Sequence, residues 1–394
     1  MSPPRGALLI NLGTPDAPRP REVRRYLREF LHDPRVIDLP RFRRTLLVEG
    51  VILPTRPRRT AAAYAKIWSE AGSPLLVHGE ALRAALEQRL GAGWAVALGM
   101  RYGRPSIDAA MRRLEERGVR EVVALPLFPQ YSSAASASAL AALFATPAAA
   151  RVHRILAVGP FYDDPGFVRA WRDVAAPPLA AFRADHVLFS YHGLPERQIR
   201  AADITGGHCL ASADCCERWS PAHRHCYRAQ CFATTAALVA ALELDAARTS
   251  TSFQSRLGRT PWIRPWTDVV LPELASAGVR RLAILCPSFA ADCLETVEEI
   301  GIRARDQWRA LGGEELLRVD CPNAHPTWVE AVAQIVLRTN GTAASARAAA
   351  ATPDASESET LTPANPTCAL ADTFVAASPS EPVKVGVSEP LATR

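Results

Sequence analysis

Short apolar runs, each suited to one buried strand, recur along the first 321 residues and alternate with stretches of helical spacing. The runs are Ala7–Asn11, Ala95–Leu98, Glu121–Leu127, Arg154–Val158, His186–Ser190, Arg281–Cys286 and Leu317–Cys321. Apolar residues at helical periods fill Pro105–Arg117, Phe167–Ala184 and Phe232–Leu242. Strand alternating with helix specifies an α/β fold with parallel sheets. The number of units predicts two doubly wound lobes, residues 5–160 and 161–338, divided near the segment GPFYDDPG at 159–166. Two segments share a layout of strand, proline and polar loop entering a helix: VVALPLFPQYSSAA (Val122–Ala135) and LAILCPSFAADCLE (Leu282–Glu295). Open α/β sheets bind ligands at the carboxyl ends of their strands, which places the site between the lobes.

Past residue 340 the chain turns to Ala, Thr, Ser and Pro. Such sequence lacks the apolar periodicity that offsets ordering entropy, so 340–394 reads as a disordered tail, and Cys368 within it has no assigned role. Elsewhere, 48% hydrophobic and 22% charged residues describe a globular protein. No apolar run approaches the roughly 20 residues that cross a bilayer, and the opening MSPPRGALLINLGTP lacks a signal-peptide layout, so a cytoplasmic location is expected. The net charge of +6 comes from scattered Arg, without a basic block interleaved with aromatics, which argues against nucleic acid as partner.

Three sets of residues have the means for chemistry. His192 follows an apolar strand in LFSYHGLPERQIR, where an imidazole can bind a divalent metal or take a proton near pH 7; on its own, such a His is most often structural. Glu295 and Glu299 are four apart in CPSFAADCLETVEEIGIRAR, so they share a helix face, with Glu298 beside them. Near a helix N-terminus such carboxylates are dipole-favoured and, facing a cleft, would attract cations and move protons; the commoner explanation is a solvated acidic face, with Glu299 paired to Arg303. Five of the nine cysteines, Cys209, Cys215, Cys216, Cys226 and Cys231, crowd into the segment 205–232. A cytosolic chain has little use for disulfides, so this crowding suits zinc or an iron–sulfur centre, although the paired CxxC of zinc ribbons is absent.

Eight segments in order, LLINLGTPDAP, IWSEAGSPL, GMRYGRPSI, LPLFPQYS, SYHGLPER, FQSRLGRTPWIRP, CPSFAADCLETVEEI and CPNAHPTW, resemble the motifs of ferrochelatases across residues 7 to 330. The resemblance implies two Rossmann-like lobes without a dinucleotide site, a porphyrin cleft between them, and insertion of Fe(II) into that porphyrin. It maps the family's active-site His onto His192 and its catalytic acid onto Glu295, both also metal contacts, with Glu299 extending an acidic line that meets Arg303 where a further acid would be expected. Phe289 and Trp262 are the implied walls of the cleft, Tyr131 lies near them, and Arg101 and Ser132 are the implied propionate holders, since guanidinium matches carboxylate geometry.

The cysteine segment looks like the internal [2Fe-2S] type found in certain bacterial ferrochelatases. Cys209, Cys216, Cys226 and Cys231 are the expected ligands, with Cys215 as substitute because vicinal cysteines seldom both ligate; zinc and free thiols are the alternatives. The N-terminal motifs lean toward protoporphyrin IX over coproporphyrin III. A cobalt chelatase of the same fold and a non-catalytic haem or redox sensor are the competing readings. Apolar residues from Leu46 to Leu53, followed by TRPRR, offer a cleft lip that could touch a membrane, a buried helix end being the commoner explanation. The sequence is silent on oligomeric state.

Overall fold

A computed structural model of the protein describes residues 4–350 except 219, 257 and 259, with 342–350 described as backbone. Strands β1 (Arg5–Thr14), β2 (Trp94–Gly103), β3 (Glu121–Pro126) and β4 (Arg154–Ala157) form one parallel sheet in the order β2-β1-β3-β4. Strands β5 (His186–His192), β6 (Thr249–Gln254), β7 (Arg281–Leu285) and β8 (Glu315–Arg318) repeat that arrangement as β6-β5-β7-β8. Strand order reverses between β1 and β3 in the first sheet and between β5 and β7 in the second, the switch points where crevices open. The two look-alike segments follow β3 and β7, which hold the same place in each sheet.

Both faces of each sheet are covered, as parallel sheets require. Alternate residues Leu8, Ile10, Val122 and Ala124 face one apolar cluster, and Leu188, Leu282 and Ile284 face another. The intervening residues Leu9, Leu98, Val123 and Leu125 of the first sheet join Val187, Phe189, Phe253 and Leu285 of the second in a single continuous core. Burying each such large side chain contributes about 1.5–3 kcal/mol, so this shared layer binds the lobes strongly. Residues Met1–Asn340 accordingly form one compact unit. Beyond it, the described residues 341–350 are the end of the helix Pro326–Ala350. Helix thus continues through 341–350, where composition predicted the tail; the rest of that tail, including Cys368, lies outside the described residues.

Strand β6 has no apolar run to announce it, because its sequence is TSTSFQ. Its hydroxyls are instead matched to one another: Ser252 Oγ lies 2.8 Å from Thr267 Oγ1, Thr251 Oγ1 lies 3.0 Å from Thr235 Oγ1, and Ser190 Oγ on β5 reaches the same Thr267 at 2.9 Å. Buried polar groups are tolerated when paired in this way. Among the described residues no helix is long and apolar enough to cross a membrane.

Candidate active site

His192 ends β5 and is clamped by its own main chain. Its N–H donates to Ser288 Oγ at 3.1 Å, and its carbonyl accepts from Tyr227 Oη at 2.8 Å. The imidazole Nδ1 donates to the Gly193 carbonyl at 2.7 Å, which leaves Nε2 as the lone-pair nitrogen of the neutral ring. Gly193 is required by crowding, since a Cβ there would stand 2.9 Å from the Gln254 carbonyl and 3.2 Å from the Trp262 ring. Trp262 therefore backs the turn beyond His192, and the Phe289 ring meets the imidazole edge-on at 6.4 Å.

The acids lie on Glu295–Ala304, a ten-residue π-helix. Such i→i+5 helices usually last one turn and often mark functional sites. Gln254, paired with His192 in the sheet register, donates from Nε2 to the Glu295 carbonyl at 3.1 Å and so ties the two candidate residues together. Ser255, held at a φ of 66°, donates to Glu299 from its backbone N at 3.0 Å and from Oγ at 2.6 Å. Burial raises the Glu299 pKa above the usual carboxylate range; Ser255, Arg303 and His192 pull it down, and the Glu295 charge adds to the rise. Arg303 lies 3.5 Å from Glu299 and donates to Glu298 at 2.8 Å, while Lys66 reaches Glu298 at 3.1 Å. Glu298 is thus a buried anchor to the helix Leu53–Ile67, and the acidic line ends at Glu299. The Glu295 charge also acts on Arg56, Tyr26, Tyr64 and Cys293, the last hydrogen-bonded to it.

The residues expected to hold carboxylates are engaged with partners of their own. Arg101 donates from Nη2 to Asp33 at 2.6 Å and from Nε to Ser138 at 2.7 Å, and stacks over the Tyr102 ring. Burial would raise Asp33, but hydrogen bonds from Ser138, Arg35 N and Tyr102, with the Arg101 charge, hold it below its ordinary value. Ser132 is buried and caps the following π-helix Ser133–Ala137 by accepting from Ala135 N at 3.1 Å. Tyr131 N donates to Gln230 Oε1 at 2.7 Å, and its ring meets His225 edge-on at 5.1 Å. Beside it, Gln130 donates to Thr234 Oγ1 at 2.9 Å and to the Pro287 carbonyl at 3.3 Å, joining the loops after β3 and β7. A separate groove of about 1010 Å³, lined by Asp16, Trp68, Glu70, Arg104 and Arg113 among others, includes none of the candidate residues.

The cysteine segment packs on the helix Tyr227–Ala241, whose N-cap is Cys226. Cys226 takes hydrogen bonds from Cys216 and Cys209, and Cys215 lies 3.9 Å from Cys216, sulfur to sulfur. Cys231 is fully buried beside the Tyr227 hydroxyl, and burial pushes its thiol up. Among the described residues no group of three or more His, Cys, Asp and Glu side chains is arranged to hold a single metal ion.

Sequence reasoning missed Gln254, Ser255, Ser288 and Tyr227. The first two sit in a strand end without an apolar signal, and the other two act through bonds to the main chain of His192, which no spacing reveals.

The imidazole at the end of β5 and the carboxylates on the π-helix that follows β7 belong to one parallel sheet of a duplicated α/β fold. The ferrochelatase family model matches residues 4–340, and the chain belongs to the ferrochelatase family, lyases that insert iron into a porphyrin in haem synthesis. It is 46% identical over 330 residues to the ferrochelatase of Coxiella burnetii (strain Dugway 5J108-111), covering 84% of this chain and 92% of that one. It is 46% identical over 333 residues to that of Legionella pneumophila (strain Lens), covering 84% and 98%. Among solved structures, the sirohydrochlorin chelatase SirB from Bacillus subtilis subspecies spizizenii with cobalt aligns at 11% identity and a TM-score of 0.48, over 87% of this chain and 97% of that one.

Proposed function

We propose that this chain inserts Fe(II) into protoporphyrin IX to form protohaem, with His192 as the pyrrole proton acceptor and Glu295 as the acid across from it. The observation that carries the reading is the fixed tautomer of His192, whose lone-pair Nε2 is held in one frame with Glu295 by Gln254. The reaction exchanges two pyrrole N–H protons for one Fe(II), so the site must accept protons while holding a divalent cation. Imidazole suits borderline Fe(II), and carboxylate can hold it or take protons onward. Glu299, raised by burial, is the next acceptor in line, and Arg303 closes the path. Phe289 and Trp262 flank the imidazole as apolar walls for a flat ring.

The two-carboxylate ring is the proposed substrate: Arg101 and Arg197 are already paired, with Asp33 and Asp38, and exposed Arg35, whose charge acts on Tyr131, is one candidate cation for a propionate. Mixed anaerobically with Fe(II), the protein should convert protoporphyrin IX at least about tenfold faster in kcat/KM than coproporphyrin III, a difference of about 1.4 kcal/mol, read from the Soret band. Absence of metalloporphyrin would reject the activity; preference for the four-carboxylate ring would reject the substrate.

The same lip supports peripheral contact with an anionic membrane. Phe42, Leu46 and Val51 are 78%, 62% and 59% exposed, and exposed Arg41, Arg43, Arg58 and Arg59 surround them in sequence. An apolar face ringed by Arg suits such a bilayer at about 1 kcal/mol per cation. Co-sedimentation with vesicles rich in anionic lipid should be strong and should fall at least about tenfold in Phe42→Glu/Leu46→Glu; equal binding by both proteins would exclude this face.

The segment 205–232 is the place for a resident [2Fe-2S] centre. Its free thiols are the soft donors such a centre takes, and two irons sharing four thiolates need no three-fold convergence on one ion. When bound, the group would brace the loop packed against His192; electron transfer has no part in metal insertion.

A further inference from the structure

Four acids crowd the turn after β7 and the π-helix behind it: Asp292, Glu295, Glu298 and Glu299. Carboxylate oxygens are what hard divalent cations take, so such a run would ordinarily draw them along its whole length. Three of the four acids are already saturated. Asp292, 4% exposed, accepts on one oxygen from Thr296 Oγ1 at 2.8 Å and Arg318 Nη1 at 2.6 Å. Its other oxygen accepts from Asn323 Nδ2 at 2.8 Å and Cys321 N at 3.3 Å. Glu298 gives one oxygen to Lys66 Nζ at 3.1 Å and the other to Arg303 Nε at 2.8 Å. Glu299 holds Ser255 N on Oε1 and Ser255 Oγ on Oε2, where Arg303 Nη2 also stands at 3.5 Å.

Glu295 differs. Among the described residues no ion pair reaches its carboxylate, which takes one side-chain hydrogen bond, from the Cys293 thiol; Arg56 acts on it through its charge alone. The saturation is also electrostatic. Lys66 and Arg303 bring two positive charges to the two carboxylates of the outer half, and they stand outermost, with 49% and 59% of their side chains exposed against 5% for Glu298. A divalent ion arriving from that side meets positive charge first, then a neutralised pair without a free oxygen.

We infer that Arg303, with Lys66 beside it, closes the outer half of the π-helix to divalent cations and leaves Glu295 as the one carboxylate of the line that a metal ion can take. Arg303 is thereby a specificity-determining residue: the iron is received at the His192 end of the line and not along the helix. The inference deepens the functional reading given above and rests on it for the identity of the ion.

The test is titration of the full chain with Mn(II), an oxygen-seeking ion for which thiols compete poorly, with free Mn(II) read by electron paramagnetic resonance. Wild type and Glu299→Gln should bind Mn(II) alike. Arg303→Glu should take up one further Mn(II) per chain, and that ion should be held at least about tenfold more weakly in Arg303→Glu/Glu299→Gln. Wild-type binding that falls at least about tenfold in Glu299→Gln, or an Arg303→Glu chain that takes up no further ion, overturns the inference. Should Arg303→Glu fail to fold, Arg303→Gln, which withdraws the charge and can still donate to Glu298, should show the same further ion. No porphyrin takes part in this readout, so a chain that made no metalloporphyrin would reject the functional reading and leave the Mn(II) comparison to decide this one.

Discussion

His192→Ala should lower kcat for metal insertion by about 10²- to 10⁴-fold, the usual share of a positioned general base, while porphyrin still binds and shifts its Soret band. The change removes Nε2 and one hydrogen bond, from Nδ1 to the Gly193 carbonyl. It leaves the Ser288 and Tyr227 bonds, which engage the main chain and survive any side-chain change. Folding should therefore lose no more than about 1 kcal/mol, one neutral hydrogen bond. Steady-state kinetics beside a denaturant titration separate the two effects. A kcat within about threefold of wild type, on a folded protein, would remove His192 from the chemistry.

Glu299→Gln should change both the rate and the pH response. Gln preserves the shape and can still accept from Ser255, but it cannot carry a proton. If Glu299 drains protons from Glu295, kcat should fall by about 10- to 100-fold and the acidic limb of its pH profile should move. For stability the sign follows from burial, which raises the folded pKa of Glu299. The folded state then binds this proton more tightly than the unfolded chain does. The associated stability is present below the usual carboxylate range and is lost as pH rises through the raised folded value. The Gln variant, with nothing to ionise, should gain on wild type across that window in urea midpoints. Parallel midpoints at every pH, together with an unchanged rate profile, would show that the acidic line stops at Glu295.

The parts of the fold that the sequence made visible are those in which burial is written as hydrophobicity. Strands β1, β5 and β7 are buried on both faces and read as apolar runs; β6 is also buried at its carboxyl end, but it spends its interior positions on Ser and Thr that bond across to Thr235 and Thr267. That concealed strand ends in Gln254 and is followed directly by Ser255, so the tie between the two halves of the site was concealed with it. His192 and Glu295 stood out as candidates because ordered motifs surround them. The commoner reading of Glu299 was also partly right, since Arg303 does lie beside it. Arg101 shows the limit of matching residue type to ligand: its guanidinium is engaged by Asp33 and Ser138 inside its own lobe, a partnership formed across 68 residues to Asp33 and 37 to Ser138.

The shared layer between the sheets has a consequence for turnover. A protein of two lobes is commonly pictured as a clam, opening at a hinge to admit substrate and let product go. Here Gln130 grips Thr234 and Pro287, Tyr131 N is bound by Gln230, Arg89 pairs with Glu330, and Phe189 and Leu9 belong to the same core. Packing and hydrogen bonds thus tie the two sheets together. On the proposed function, release of a flat product is then expected to depend on the exposed helical segment around Phe42 and Leu46 and on the surface it rests on.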